Sequence, residues 1–129
     1  MPAFEATCQL RLPPDDGGDL VTVGSDSLSG SYATDARYDL TFVSAGSTSL
    51  NFGTVGMAKG LLIKFGTGTG YVPVEVRFNG AVSGPSHSPG SVLFSFDPDP
   101  EDGITSIDLV YAGPARVQVW LLGDPEAVA

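Results

Sequence analysis

The chain has 129 residues, six Lys and Arg against fifteen Asp and Glu, a formal charge of -9, a single cysteine, and 17 glycines with 10 prolines. That size suits one domain spanning residues 1–129, whose folding buries roughly two-thirds of the surface the unfolded chain exposes. The charge argues against nucleic acid and anionic lipid as partners, and one cysteine leaves no intrachain disulfide and no thiolate metal cluster.

Phe4 to Leu12 alternates strictly, apolar at Phe4, Ala6, Cys8, Leu10 and Leu12 and polar between. Period two is the mark of a half-buried strand, so Cys8 is expected in the core, buried and unreactive. Met1 to Glu5 holds neither a basic segment nor an apolar run of the signal-peptide kind, and no stretch approaches the ~20 apolar residues that cross a bilayer as a helix. A protein that stays soluble unless something else exports it is expected, with no membrane partner. Pro13 to Asp19 closes the strand as a turn cluster.

Leu20 to Val23 reads as a short strand and Gly24 to Ser31 as a polar loop. Tyr38, Leu40 and Phe42 alternate with polar neighbours, as do Leu50 and Phe52 around Asn51, giving two strands separated by Ser44 to Ser47. Gly56 to Gly60 supplies at most one helical turn.

The second half carries the plainest pattern. Gly60–Phe65, Tyr71–Phe78, Ser91–Phe96, Ile104–Tyr111 and Ala115–Leu122 are strand-length runs closed by Gly, Pro, Asn or Asp, and they read as an antiparallel meander. In Tyr71–Phe78 the inward set is Val72, Val74, Val76 and Phe78; Pro73 cannot donate to a ladder, which points to an edge strand or a bulge. In Ala115–Leu122 the inward set is Val117, Val119 and Leu121. Gln118 and Trp120 then face outward, and an outward Trp on an acidic protein marks a surface that something covers. Eight or nine strands at spacings of about ten residues describe an all-β fold, an antiparallel sandwich or barrel.

Chemistry-bearing residues are sparse. His87, the one histidine, stands in the Gly84–Gly90 loop with no acid near it in sequence, and reads as a solvated loop residue. Asp97, Asp99 and Glu101 alternate through an acidic loop and are the best Ca²⁺ candidates. The match to a calcium loop then fails: Asp102 stands where the sharp-turn glycine belongs, no bidentate Glu follows, and Pro98 and Pro100 stiffen the backbone, so the loop reads as an inter-strand turn and no metal or other cofactor is expected. Gly66 to Gly70 lacks the helix that a phosphate cradle needs. No Asp or Glu sits in the apolar setting that would raise its pKa for glycoside chemistry. An enzyme is not expected. Tyr32, Tyr38, Tyr71, Tyr111 and Trp120 are the residues from which a sugar-stacking platform could be built, and a carbohydrate-binding or receptor-binding module is the alternative reading.

The runs Gly60–Lys64, Val74–Gly80, Asp102–Leu109 and Val117–Gly123 together resemble small structural proteins of tailed-bacteriophage virions. The resemblance spans Gly60 to Gly123 and consists of strand and turn patterns. It implies a jelly-roll-like domain that decorates or cements the capsid, or sits in the head-fibre or tail apparatus. It further implies a virion location, assembly by symmetry as a homo-oligomer, often a trimer, contacts with the major capsid or other virion proteins, and no active site. Trp120, Gln118 and Pro73 are the expected interface residues.

Overall fold

The computed structural model describes residues 3–13, 18, 19, 21–31, 34–53, 55–96 and 103–125. All of its regular structure is β, in ten strands: β1 Ala3–Leu12, β2 Val21–Ser31, β3 Thr34–Phe42, β4 Gly46–Ser49, β5 Val55–Phe65, β6 Val74–Phe78, β7 Ser86–His87, β8 Val92–Phe96, β9 Ile107–Tyr111 and β10 Ala115–Pro125. Strands β3 to β10 form two four-stranded sheets, ordered β3-β10-β5-β8 and β4-β9-β6-β7, and β1 pairs with β2 in a separate ribbon.

The pairings of the two sheets are nested. β3 lies against β10, β4 against β9, β5 against β8 and β6 against β7, all antiparallel. Two further pairings, β10 with β5 and β9 with β6, zip the nested pairs into the sheets. This is a long hairpin rolled on itself, the connectivity of a jelly-roll sandwich. The expected meander is corrected here: after β5 the chain changes sheet four times, from β5 to β6, from β7 to β8, from β8 to β9 and from β9 to β10, and only β6 and β7 follow one another within a sheet. Local alternation is the same for a meander and a roll, because it reports which face a residue occupies and not which strand lies beside it.

The core lies between the sheets. Leu61, Ile63, Val117, Val119 and Leu121 come from one sheet and Val74, Val76, Ile107 and Leu109 from the other, each at most 1% exposed. Burying each such side chain contributes about 1.5–3 kcal/mol. The inward sets read from the sequence hold: Val72 and Phe78 pack against this core from its margin, and Gln118 and Trp120 stand on the opposite face of β10. Phe42 and Tyr111 stack across the sheets with centroids 3.9 Å apart, and Thr48 and the Tyr111 hydroxyl share a hydrogen bond of 2.8 Å.

Several boundaries differ from expectation. Gly24–Ser31 belongs to β2, held extended by its ladder to β1 despite its Gly/Ser composition. Gly56–Gly60 is part of β5 and not a helical turn, with a register shift opposite Leu122/Gly123. There a side chain at 123 would drive into the Met57 carbonyl, so only glycine permits the approach. Leu50 and Phe52 are buried but lie just past β4. Pro73 is exposed and precedes β6, which is flanked on both sides, by β9 and by the two-residue β7. Tyr71–Pro73 therefore stand outside the ladder, where a missing donor costs nothing.

β6 is closed by Asn79-Gly80, with φ of 54° and 76°, the pair of left-handed residues that a tight hairpin-type turn demands. The Asn79 side chain then reaches a distant segment. Its Oδ1 accepts from the Thr105 backbone N–H at 2.8 Å and from the Thr105 hydroxyl at 3.1 Å, and its Nδ2 donates to the Gly103 carbonyl at 3.1 Å. One residue thus sets the turn and pins the entry to β9.

Candidate functional site

The outer face of the β3-β10-β5-β8 sheet gathers the side chains with the least evident use in the fold. Register places Arg37, Trp120, Leu62 and Phe94 in one row across the four strands. A second row is Asp35, Leu122, Gly60 and Phe96, and a third is Asp39, Gln118, Lys64 and Val92. Trp120, Leu62 and Leu122 are half-buried by their neighbours alone. Val92 is 57% exposed and Phe94 40%. Together they make an apolar stripe running diagonally from β10 to the β8 edge, in a position where an antiparallel sandwich normally turns polar residues to water.

Gly60 shapes one end of that stripe. A Cβ there would press on the Phe96 ring at 2.5 Å, so the ring lies over β5 because residue 60 has no side chain. Phe96 in turn packs with Phe94, centroids 4.6 Å apart, and with Phe4 of β1, centroids 5.4 Å apart. Phe4 is thereby buried against the sandwich.

The rest of β1 continues away from this contact. Cys8, Leu10 and Leu12, which share the Phe4 face by alternation, are exposed. The expectation that Cys8 is buried is therefore corrected. Alternation is real in β1, but the face it defines is not turned into the sandwich core, because the ribbon is a sheet of its own.

The polar end of the face is built around Asp39. Arg116 donates to both of its carboxylate oxygens, Nη2 at 2.9 Å and Nε at 3.2 Å, in a bidentate pair. The Arg116 hydrogen bond holds the Asp39 carboxyl below its usual range, and Asp39 raises Arg116 in return. Both groups are in solvent, so the pair orients the face more than it stabilises the fold. Beside it is a shallow polar hollow of about 300 Å³ bordered by Lys64, Gln118, Thr67 and Ser91.

Trp120 and Gln118 are thus brought together, as expected. Pro73 is not with them: it lines a separate hollow of about 520 Å³ on the other sheet, with Glu75, Ser86 and Val110. There Glu75 accepts from the Gly84 backbone N–H at 3.2 Å and from Arg77 at 2.8 and 3.0 Å, which lowers its pKa, the Gly84 bond most. Asp97, Asp99 and Glu101 lie outside the described residues, as does Tyr32. Among the described residues no group of three or more His, Cys, Asp or Glu side chains gathers where a metal ion could bind.

The aromatic platform is different from the one read in the sequence. Tyr111 points into the core, and the half-buried Tyr38 donates its hydroxyl to the Asn51 carbonyl. His87 is not a solvated loop residue: it sits in β7 with its ring stacked on core Phe65 at 4.9 Å. The aromatics that do join Trp120 are Phe94 and Phe96. The available signal was Ser95: with Leu93 and Ser95 on one face of β8 and Val92, Phe94 and Phe96 on the other, the fully apolar face is the outer one.

No family model and no curated protein matches this chain.

Proposed function

We propose that this chain is a non-enzymatic structural subunit of a tailed-phage virion, a jelly roll that decorates or reinforces the capsid or sits in the head or tail apparatus. Its partners on this reading are the major capsid or other virion proteins and further copies of itself. The observation that carries the reading is the apolar stripe of Trp120, Leu62, Leu122, Phe94 and Val92 on an outer sheet face. Each Å² of it left in water forgoes roughly 25 cal/mol, and a face of this kind marks a contact with another protein. The nested topology supports the same reading, since jelly rolls recur in viral shells, and so does the resemblance of Gly60–Gly123 to virion proteins.

The test is mass spectrometry of purified particles produced from the genome that encodes the chain, together with light scattering of the isolated protein. The reading expects the chain as a multi-copy particle component and a mass above that of the monomer. Particles that lack it would overturn the assignment. The rival from another class is a carbohydrate-binding or receptor-binding module, favoured by one feature: Trp120 is flanked on its face by Arg37 and Gln118, groups suited to orient a stacked sugar. Binding on a glycan array that is lost in Trp120→Ala would establish that rival.

A further inference from the structure

We infer that the outer face carrying Trp120 is covered by the β1–β2 ribbon of a second copy of this chain, which lays its Cys8, Leu10 and Leu12 row on Trp120, Leu62 and Phe94. The inference rests on the assembly reading above and names the partner of that same face.

The first support is that the two surfaces already meet inside one chain. Phe4 begins the apolar row of β1 and is seated on Phe96, at the margin of the stripe. The row then runs on uncovered: Leu10 is 56% exposed and Leu12 45%. At about 3.4 Å per residue, Leu12 stands about 27 Å along β1 from Phe4. The chain's own sheet covers the start of the row and leaves the end for another body.

The second support is the shape of the ribbon. Register sets Leu10 opposite Gly24 and Phe4 opposite Gly30. A Cβ at Gly24 would meet nothing within 4 Å. The strand beside the apolar row is therefore bare at Leu10, and glycine at such a place lets another backbone or sheet approach closely. A two-stranded ribbon is marginal alone in water, and among the described residues β1 and β2 ladder only with each other. The ribbon gains its third layer by docking.

The third support is charge. The chain carries -9 overall, so two copies repel. The outer face of this sheet pairs Arg37 with Asp35 and Arg116 with Asp39, Lys59 of β5 pairs with Asp124 of β10, and Lys64 adds a further cation. It is a face on which a second acidic copy meets net positive charge. Since every copy offers both ribbon and face, the contact repeats from copy to copy, as a closed ring where its rotation closes and as an open chain of copies where it does not.

The experiment uses the full chain and its one cysteine as a reporter. Thiol-reagent labelling of Cys8 is followed across protein concentration, with mass by light scattering, for wild type, Leu10→Ser/Leu12→Ser and Trp120→Ala. The expected result is slower labelling as the mass rises, and association weakened at least about tenfold in both variants, the effect expected of interface anchors. Mixing Cys8→Ala/Val92→Cys chains with wild-type chains under mild oxidation is expected to give a disulfide-linked heterodimer. An oligomer whose Cys8 labels at the monomer rate, whose mass is unaffected by Leu10→Ser/Leu12→Ser and which forms no Cys8 to Val92→Cys link overturns the inference and leaves the assembly reading standing. A chain that is monomeric at every concentration also overturns it, and the virion assignment is then judged by the particle composition alone.

Discussion

Phe4 rests on Phe96 because Gly60 lets it: the Phe96 ring occupies the space a Cβ at residue 60 would take, and the Phe4 ring lies 5.4 Å from it at 33°. This contact anchors the ribbon to the sandwich. Gly60→Ala is expected to displace the Phe96 ring and release Phe4. Limited proteolysis should then cut the ribbon faster than in wild type, while the sandwich loses only about 1–3 kcal/mol, the usual cost of one added methyl in a packed site. Unchanged protection of the ribbon would show that Phe4 is held by something else.

Trp120 and Leu121 are neighbours in β10 with opposite duties. Leu121 is fully buried between the sheets, so Leu121→Ala should cost about 2–5 kcal/mol in chemical denaturation. Trp120→Ala should cost much less in folding and weaken assembly by ~2 kcal/mol or more. Denaturation curves of the two variants beside their sedimentation or light-scattering masses separate the roles; a Trp120→Ala protein as unstable as Leu121→Ala would place Trp120 in the folding core.

Asn79 combines a left-handed backbone, φ 54°, with hydrogen bonds to Gly103 and Thr105. Asn79→Ala loses both and should destabilise by about 2–3 kcal/mol. Asn79→Gly keeps the backbone freedom and loses only the bonds, so it should cost about half as much. Equal losses in the two variants would mean that the backbone conformation contributes nothing.

Glu75 ties β6 to the segment before β7 through the Gly84 N–H and pairs with Arg77 of its own strand. Its pKa is lowered in the fold, so the charged form favours the native state. That contribution is fully present above the ordinary glutamate value of about 4.3 and is lost as pH falls through the lower native value. The Tm of Glu75→Gln should accordingly lie below wild type at pH 7 and converge with it in acid. A gap that persists below pH 3 would mean that packing, not ionisation, sets the difference.

Cys8 exposes the limit of what alternation can say. The period of β1 was legible, and so was its pairing polarity, but period two reports a face and not what lies against it; here the face opens to solvent beyond Phe4. Val117, Val119 and Leu121 were legible because they sit in a strand flanked on both sides and backed by a second sheet. Gly24–Ser31 was not, because a Gly/Ser-rich segment takes strand form only when a partner ladder supplies it. The stripe was half legible: Trp120 and Gln118 followed from β10 alone, whereas Phe94 joined them only once β8 was placed beside β5. Pro73 was separated from them for the same reason, since sheet membership is a non-local property.

The most direct test of the structural-subunit account compares particle occupancy with fold stability for Trp120→Ala. Particles assembled with wild-type or variant chain are quantified by mass spectrometry, and the purified chains are melted in parallel. The account predicts wild-type chain in many copies per particle and variant chain depleted by about tenfold or more, with a melting curve close to wild type, as for an anchor residue at a contact. Wild-type and variant chains present at equal copy number, or both absent from particles, would contradict it.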